Sequence, residues 1–204
     1  MNTALYNKCL KYDFEKLFKN KGYAFFTKGD YNLNIVGVRS NQGSKVTNKF
    51  DDVIIIDYNT GKGHRRDIYP ITTDPGLYYM KNPLNTLGTA ILVPNQYKST
   101  YAIGLHNGKY TALCQRLKPV EVYRDGNKDD IYDMFPEKID RGMFGINIHK
   151  AANGNTAEIN KYSAGCQVFA NSNDFNSFIA TCQLAQNKWG NSFTYTLIEE
   201  KDLV

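Results

Sequence analysis

Apolar positions along this chain follow two spacings, and the spacing changes several times between its ends. From Thr3 to Asn20 they recur at Leu5, Tyr6, Cys9, Leu10, Phe14, Leu17 and Phe18. Steps of three and four residues predict one helix, with Gly22 as its C-terminal stop. Its polar face mixes Asp13 and Glu15 with lysines, so it is expected to pack on a domain rather than anchor in a membrane. Beyond it the period falls toward two. Strands are expected at Tyr23–Phe26 and Leu33–Val38, and the unbroken apolar run from Asp52 to Tyr58 predicts a strand buried on both faces near the middle of a sheet. Turn chemistry at Asn59–Gly63 and Thr73–Gly76 flanks another strand, Ile68–Thr72. Four more follow at Thr89–Val93, Tyr101–Leu105, Tyr110–Cys114 and Val120–Arg124, with polar loops at Gln42–Lys49 and Asp125–Arg141. Near the end, Asn171-Ser172-Asn173-Asp174 supplies caps for a helix carrying Phe175, Phe178, Ile179, Cys182 and Leu184. Lys188-Trp189-Gly190 closes that helix, and Phe193–Ile198 makes a last strand.

Many short strands with few helices predict a β-rich α+β protein, either a β-sandwich or a partly closed barrel with N-terminal and C-terminal helices. At 204 residues a single domain suffices, with residues 1–22 as a helix packed on a domain spanning 23–204. The 15 Tyr against 11 Phe fit half-exposed strands and a groove lined by amphipathic rings. A net charge of +5 serves solubility. The lysines are scattered through Asn- and Asp-rich turns, and the densest basic cluster, His64-Arg65-Arg66, lies in a turn. No nucleic-acid partner is therefore expected. A repeat, a phosphate-cradling Gly loop and a membrane-length apolar run are all lacking, which disfavours kinases, dinucleotide enzymes and membrane-spanning proteins.

The four cysteines, at 9, 114, 166 and 182, show no Cys-X-X-Cys, so neither a zinc ribbon nor a disulfide framework is expected. No metal and no cofactor is called for. The acidic stretch from Asp125 to Arg141 lacks EF-hand spacing and reads as a solvated loop. Standing immediately before the chemistry-bearing segment, it is a candidate wall for a cleft.

That segment runs from Phe144 to Phe169. A short alternating strand delivers His149 to its end, and a polar loop from Ala152 to Asn160 follows. Ser163-Ala164-Gly165-Cys166 then places a thiol behind two small residues, where backbone amides can approach a substrate. A Cys and a His brought together across one loop make a nucleophile and its base. An imidazolium alongside would lower the thiol from about 8.5 toward neutrality. Gln167 and Tyr162 flank the thiol and are candidates for a substrate groove. His106, before the Asn107-Gly108 hairpin turn, is weighed both as a groove residue and as an ordinary strand-end residue, the second being favoured.

The strand-borne His149 followed by Ser-X-Gly-Cys resembles the active-site signature of L,D-transpeptidase (YkuD-type) catalytic domains: His, a loop, then Ser or Thr, His, Gly, Cys. The resemblance implies Cys166 as nucleophile and His149 as base. Ser163 would shape the loop, and Gly165 with Cys166 would give backbone donors to an oxyanion. It implies a substrate too, the peptide stems of peptidoglycan. Three positions depart from the pattern. Ala164 stands where a second His is usual, Lys150 where a Gly is common, and Val168 where an Arg or Asn is often found.

Two enzymatic functions share a thioester intermediate: transfer to an amine, or hydrolysis, which is slightly preferred. The alternative is a non-catalytic wall-binding or virion structural protein retaining the fold. Met1-Asn2-Thr3-Ala4-Leu5-Tyr6 lacks the basic and apolar regions of a secretory signal. Synthesis in the cytoplasm and action on the wall by another route, as in a bacteriophage lysin or virion component, is the corresponding expectation. The oligomeric state is left open.

Overall fold

Isoleucine and valine can occupy both faces of the Asp52–Tyr58 run because both faces are covered. The computed structural model describes residues 2–41 and 43–204; Met1 and Gln42, the latter opening the expected 42–49 loop, lie outside the described residues. In chain order, helices α1 (Thr3–Leu10) and α2 (Phe14–Lys21) precede strands β1 (Asn34–Arg39), β2 (Asp52–Thr60) and β3 (Gly63–Thr72). Helix α3 (Leu77–Lys81) leads to β4 (Thr89–Leu92), β5 (Gln96–His106), β6 (Tyr110–Gln115), β7 (Val120–Asp125) and β8 (Ile139–Gly142). Two short strands, β9 (Ile148–Lys150) and β10 (Gln167–Phe169), bracket the loop that ends at Cys166, and α4 (Ser172–Trp189) and β11 (Phe193–Glu199) complete the order.

Eight strands close into a barrel in the order β1-β11-β5-β6-β9-β10-β3-β2, and β4-β7-β8 form a separate small sheet. The architecture is thus a β-rich α+β fold whose barrel is fully closed, rather than a sandwich or a partly closed barrel. Closure is made by β11, which returns after α4 and pairs parallel with β1 and antiparallel with β5. The last strand expected at Phe193–Ile198 is therefore the one that closes the barrel, and no sheet edge is left between β1 and β5.

Strand β2 lies between β1 and β3, and its alternating side chains divide between two cores. Ile54 and Ile56 join Ile35, Phe169, Tyr195 and the apolar face of α4, while Val53 and Ile55 pack with Val36, Val38 and the helices α1 and α2. The small sheet adds Ala90, Leu92, Val120 and Val122 to the α4 side.

Differences from the sequence reading have local causes. The N-terminal helix is two helices. The Asp13 side chain accepts from Lys16 N–H at 3.0 Å and caps α2, so the chain turns at Lys11–Asp13, and Leu5, Cys9, Phe14, Leu17 and Phe18 still reach one core. Tyr23–Phe26 forms no strand. Side-chain amides take the place of ladder partners there: Gln96 pairs with Ala24 and Asn34 with Phe26. Within the acidic stretch, Ile139–Gly142 forms β8 against β7.

Candidate active site

The Cys166 loop is held by hydrogen bonds that its own sequence provides. Ser163, fully buried, accepts from the Gly165 N–H at 3.1 Å and donates to the Cys166 carbonyl at 2.8 Å. Gly165 has φ +119°, and a Cβ there would lie 2.4 Å from the Ala90 carbonyl oxygen, so both the dihedral and the close approach require glycine. Because its N–H is engaged by Ser163, Gly165 is not a free oxyanion donor. The Cys166 N–H has no protein acceptor among the described residues and is the donor that remains.

Gln167 is corrected from groove to interior. Alternation along β10 turns its fully buried side chain inward. Its Oε1 accepts from Tyr195 OH at 2.8 Å, and its Nε2 donates to the Thr73 and Gly165 carbonyls at 3.4 and 3.3 Å. Gln167 thus fastens the loop from beneath.

Strands β9 and β10 run parallel, pairing Val168 with His149 and Gln167 with Ile148. This register sets the ends of the two strands side by side and brings Cys166 and His149 to one cleft. His149 is almost fully buried. Its Nδ1–H donates to the Lys150 carbonyl at 2.8 Å, and Tyr110 OH lies 3.3 Å from the same nitrogen while donating to that carbonyl at 3.1 Å. A proton fixed on Nδ1 leaves Nε2 as the acceptor, the tautomer a general base needs. The group that orients the base is a backbone carbonyl.

His106 stacks on His149, with ring centroids 4.0 Å apart and planes at 20°. Asn147 links it to the thiol. The Asn147 backbone N–H points at Cys166 Sγ at 3.4 Å, and its side-chain Nδ2 donates to His106 Nδ1 at 3.1 Å. The Gln115 N–H donates to Asn147 Oδ1 at 2.9 Å, which fixes the amide's orientation. His106 therefore belongs to the cleft, against the favoured reading of an ordinary strand end. Asn147 and Tyr110 went unread in the sequence; the signal available was their position, Asn147 two residues before His149 and Tyr110 across the hairpin turn from His106.

Burial governs the protonation of the site. It pushes the Cys166 thiol up to about 11, against some relief from the Asn147 N–H. Burial, with His106 alongside, holds His149 down at about 3. Among the described residues no hydrogen bond joins His149 to Cys166; the thiol itself points to the Gly145 carbonyl at 3.4 Å. At neutral pH the pair is a thiol and a neutral imidazole, not the expected thiolate beside an imidazolium. Cys166 is nonetheless the one partly exposed thiol, Cys9, Cys114 and Cys182 being buried.

The cleft is open and has a volume of about 800 Å³. Tyr162 and Ala164 line it beside Cys166, whereas no described residue of the 125–141 segment contributes to its wall, against the expectation that this segment walls the cleft. That segment instead lies against the 44–46 chain and Pro75, through Val46 N–H to the Asp130 carbonyl and Tyr132 OH to the Pro75 carbonyl. Among the described residues no cluster of three or more His, Cys, Asp or Glu is placed to hold a metal, and no helix is long and apolar enough to cross a membrane. No family model, curated protein or solved structure matches the chain.

Proposed function

We propose that this chain is a cysteine-dependent enzyme of L,D-transpeptidase type that opens peptidoglycan stem peptides through a thioester on Cys166, with hydrolysis preferred over transfer. The observation that supports it is the meeting of the one partly exposed thiol with a carbonyl-anchored, neutral imidazole in a single open cleft. In this reading a stem carbonyl enters above Cys166. The thiol proton passes to His149 Nε2 as Sγ forms its bond to carbon, and the Cys166 N–H faces the developing oxyanion. The C–N bond then breaks, His149 returns the proton to the leaving amine, and a thioester remains. Water, deprotonated by His149, attacks the thioester, and the thiol is restored as the shortened stem leaves. An amine in place of water would complete a transpeptidation. Hydrolysis is preferred because the cleft is open, and an acceptor amine must outcompete water at tens of molar. Reaching the wall as a phage lysin or virion component belongs to the same proposal.

A second reading, a non-catalytic wall-binding or virion structural protein, is favoured by the missing His149–Cys166 hydrogen bond and the tightly held thiol proton. The two separate on incubation with purified muropeptides in ¹⁸O-water. Hydrolysis yields labelled shortened stems that disappear with Cys166→Ser while the protein stays folded. Cross-linked or amine-exchanged products would shift the reaction to transfer, and no product across several wall chemistries would leave the structural reading.

A further inference from the structure

The wall of the Cys166 cleft carries charge of one sign. Lys109, Arg116, Arg124, Lys150 and Lys161 line it, and among the described residues no Asp or Glu does, although the chain holds 20 acidic residues against 25 basic ones. Arg124 is neutralised, donating to Asp140 at 3.0 and 2.9 Å while lying 4.6 Å from the Phe144 ring centroid. The other four make no ion pair among the described residues. Their contacts are with neutral groups. Lys150 Nζ donates to Asn153 Oδ1 at 2.7 Å, Lys161 Nζ lies 4.2 Å from the Tyr78 ring centroid, and Arg116 Nη2 donates to the Leu105 carbonyl at 3.3 Å. Such contacts place a cation without cancelling its charge. The field reaches into the cleft: after burial, Arg116 is the cause that holds His106, the ring stacked on His149, below its usual value.

A concave wall bearing several uncompensated like charges concentrates counter-charged ligands. We propose that Lys109, Arg116, Lys150 and Lys161 form a carboxylate-binding collar that selects acyl donors with free carboxylates near the scissile bond over their amidated forms. This rests on the acyl-transfer reading and adds the substrate's charge to it. A carboxylate meets a Lys or Arg as a charge-assisted partner, whereas a primary amide offers the same cations only a neutral oxygen.

The test is built so that the collar and the enzyme can fail separately. Cys166 is alkylated with iodoacetate, an anion, and with neutral iodoacetamide, and the ratio of rates is compared with that for 2-mercaptoethanol. At low ionic strength the ratio at Cys166 is expected to be about 10-fold higher than at the small thiol, collapsing toward it in about 0.5 M NaCl. The exposed pair Lys109→Gln and Lys161→Gln should lower it by about 3-fold or more. A ratio equal to that of 2-mercaptoethanol, or one that ignores both salt and the double variant, overturns the collar whatever the activity. With stem peptides, kcat/KM is expected to favour free over amidated carboxylates by about 10-fold, chiefly through KM. Equal use of both forms overturns the selectivity. An iodoacetate preference with no stem cleaved supports the collar and counts against the acyl-transfer reading.

Discussion

Cys166 is reached by solvent, yet its proton is held up to about 11 by burial. Alkylation requires the thiolate, whose fraction grows about tenfold per pH unit below the pKa. The labelling rate of Cys166 should therefore climb by about 100-fold between pH 7 and 9, while remaining ahead of buried Cys9, Cys114 and Cys182. A rate that levels off below pH 8, followed by mass spectrometry, would show an ion pair formed at rest and contradict the neutral dyad. His149 offers a matching expectation. Its loss in His149→Ala should slow acylation by about 100-fold or more. His106→Ala should cost less at neutral pH but move the acid limb of the rate profile upward, because burial and the neighbouring His106 hold His149 near 3. Equal losses with an unmoved acid limb would assign the two rings independent roles. That Cys166 and His149 share a cleft was legible in sequence, because Ser163 and Gly165 mark the loop before the thiol and a short strand carries the imidazole. Gln167 was misread because its placement depends on which way β10 faces, a property of pairing with β3 and β9. Asn147 and Tyr110 carry no motif at all.

Individual elements were legible where local chemistry decides them. The Asn107-Gly108 turn has both residues at positive φ, +50° and +70°, as a tight hairpin between twisted strands requires. Asn171 caps α4 by accepting from Asn173 and Asp174 N–H groups, in keeping with the polar run read there. What sequence spacing could not convey is adjacency. Strand β6 meets β9 at Leu113 and Ile148, and this contact brings the β5–β6 hairpin beside β9, stacking His106 on His149 and setting Tyr110 against the Lys150 carbonyl. The break between α1 and α2 was hidden for another reason. Apolar spacing continues through Lys11–Asp13, and only the capping role of Asp13 interrupts the backbone.

For the molecule as a whole, two buried sites tie stability to pH with opposite signs. One is a polar cluster beneath the Cys166 loop, where a single buried cation, Arg39, faces two carboxylates. Asp52 accepts from Ser40 N–H, Thr73 N–H and Thr73 OH at 2.7, 2.6 and 2.8 Å. Asp74 lies 2.8 Å from Arg39 Nε, but its Oδ1 has no aligned hydrogen bond. Burial, with Asp52 adding repulsion, raises the Asp74 carboxyl to about 7 despite the guanidinium. A folded pKa above the unfolded one means that the native state binds the extra proton, so this contribution is full below the ordinary carboxylate range and is lost as pH rises toward 7. His149 behaves in the reverse sense. Its depressed folded value means that acidification from about 6.5 toward 3 protonates the unfolded chain first and removes stability. Between about pH 4 and 6.5 the two slopes, each about 1.4 kcal/mol per pH unit, are opposite and cancel, so the unfolding free energy should be nearly level there, falling below that range and again as pH rises to 7. Urea titrations across this range check it, and two variants apportion the slopes. Asp74→Asn should uncover the His149 slope, with stability rising from about pH 4 to 6.5, and His149→Gln should uncover the Asp74 slope, with stability falling over the same range. A curve rising steadily from pH 4 to 8 in the wild type, with Asp74→Asn parallel to it, would mean that Asp74 is ionised throughout and that Arg39 compensates both carboxylates together.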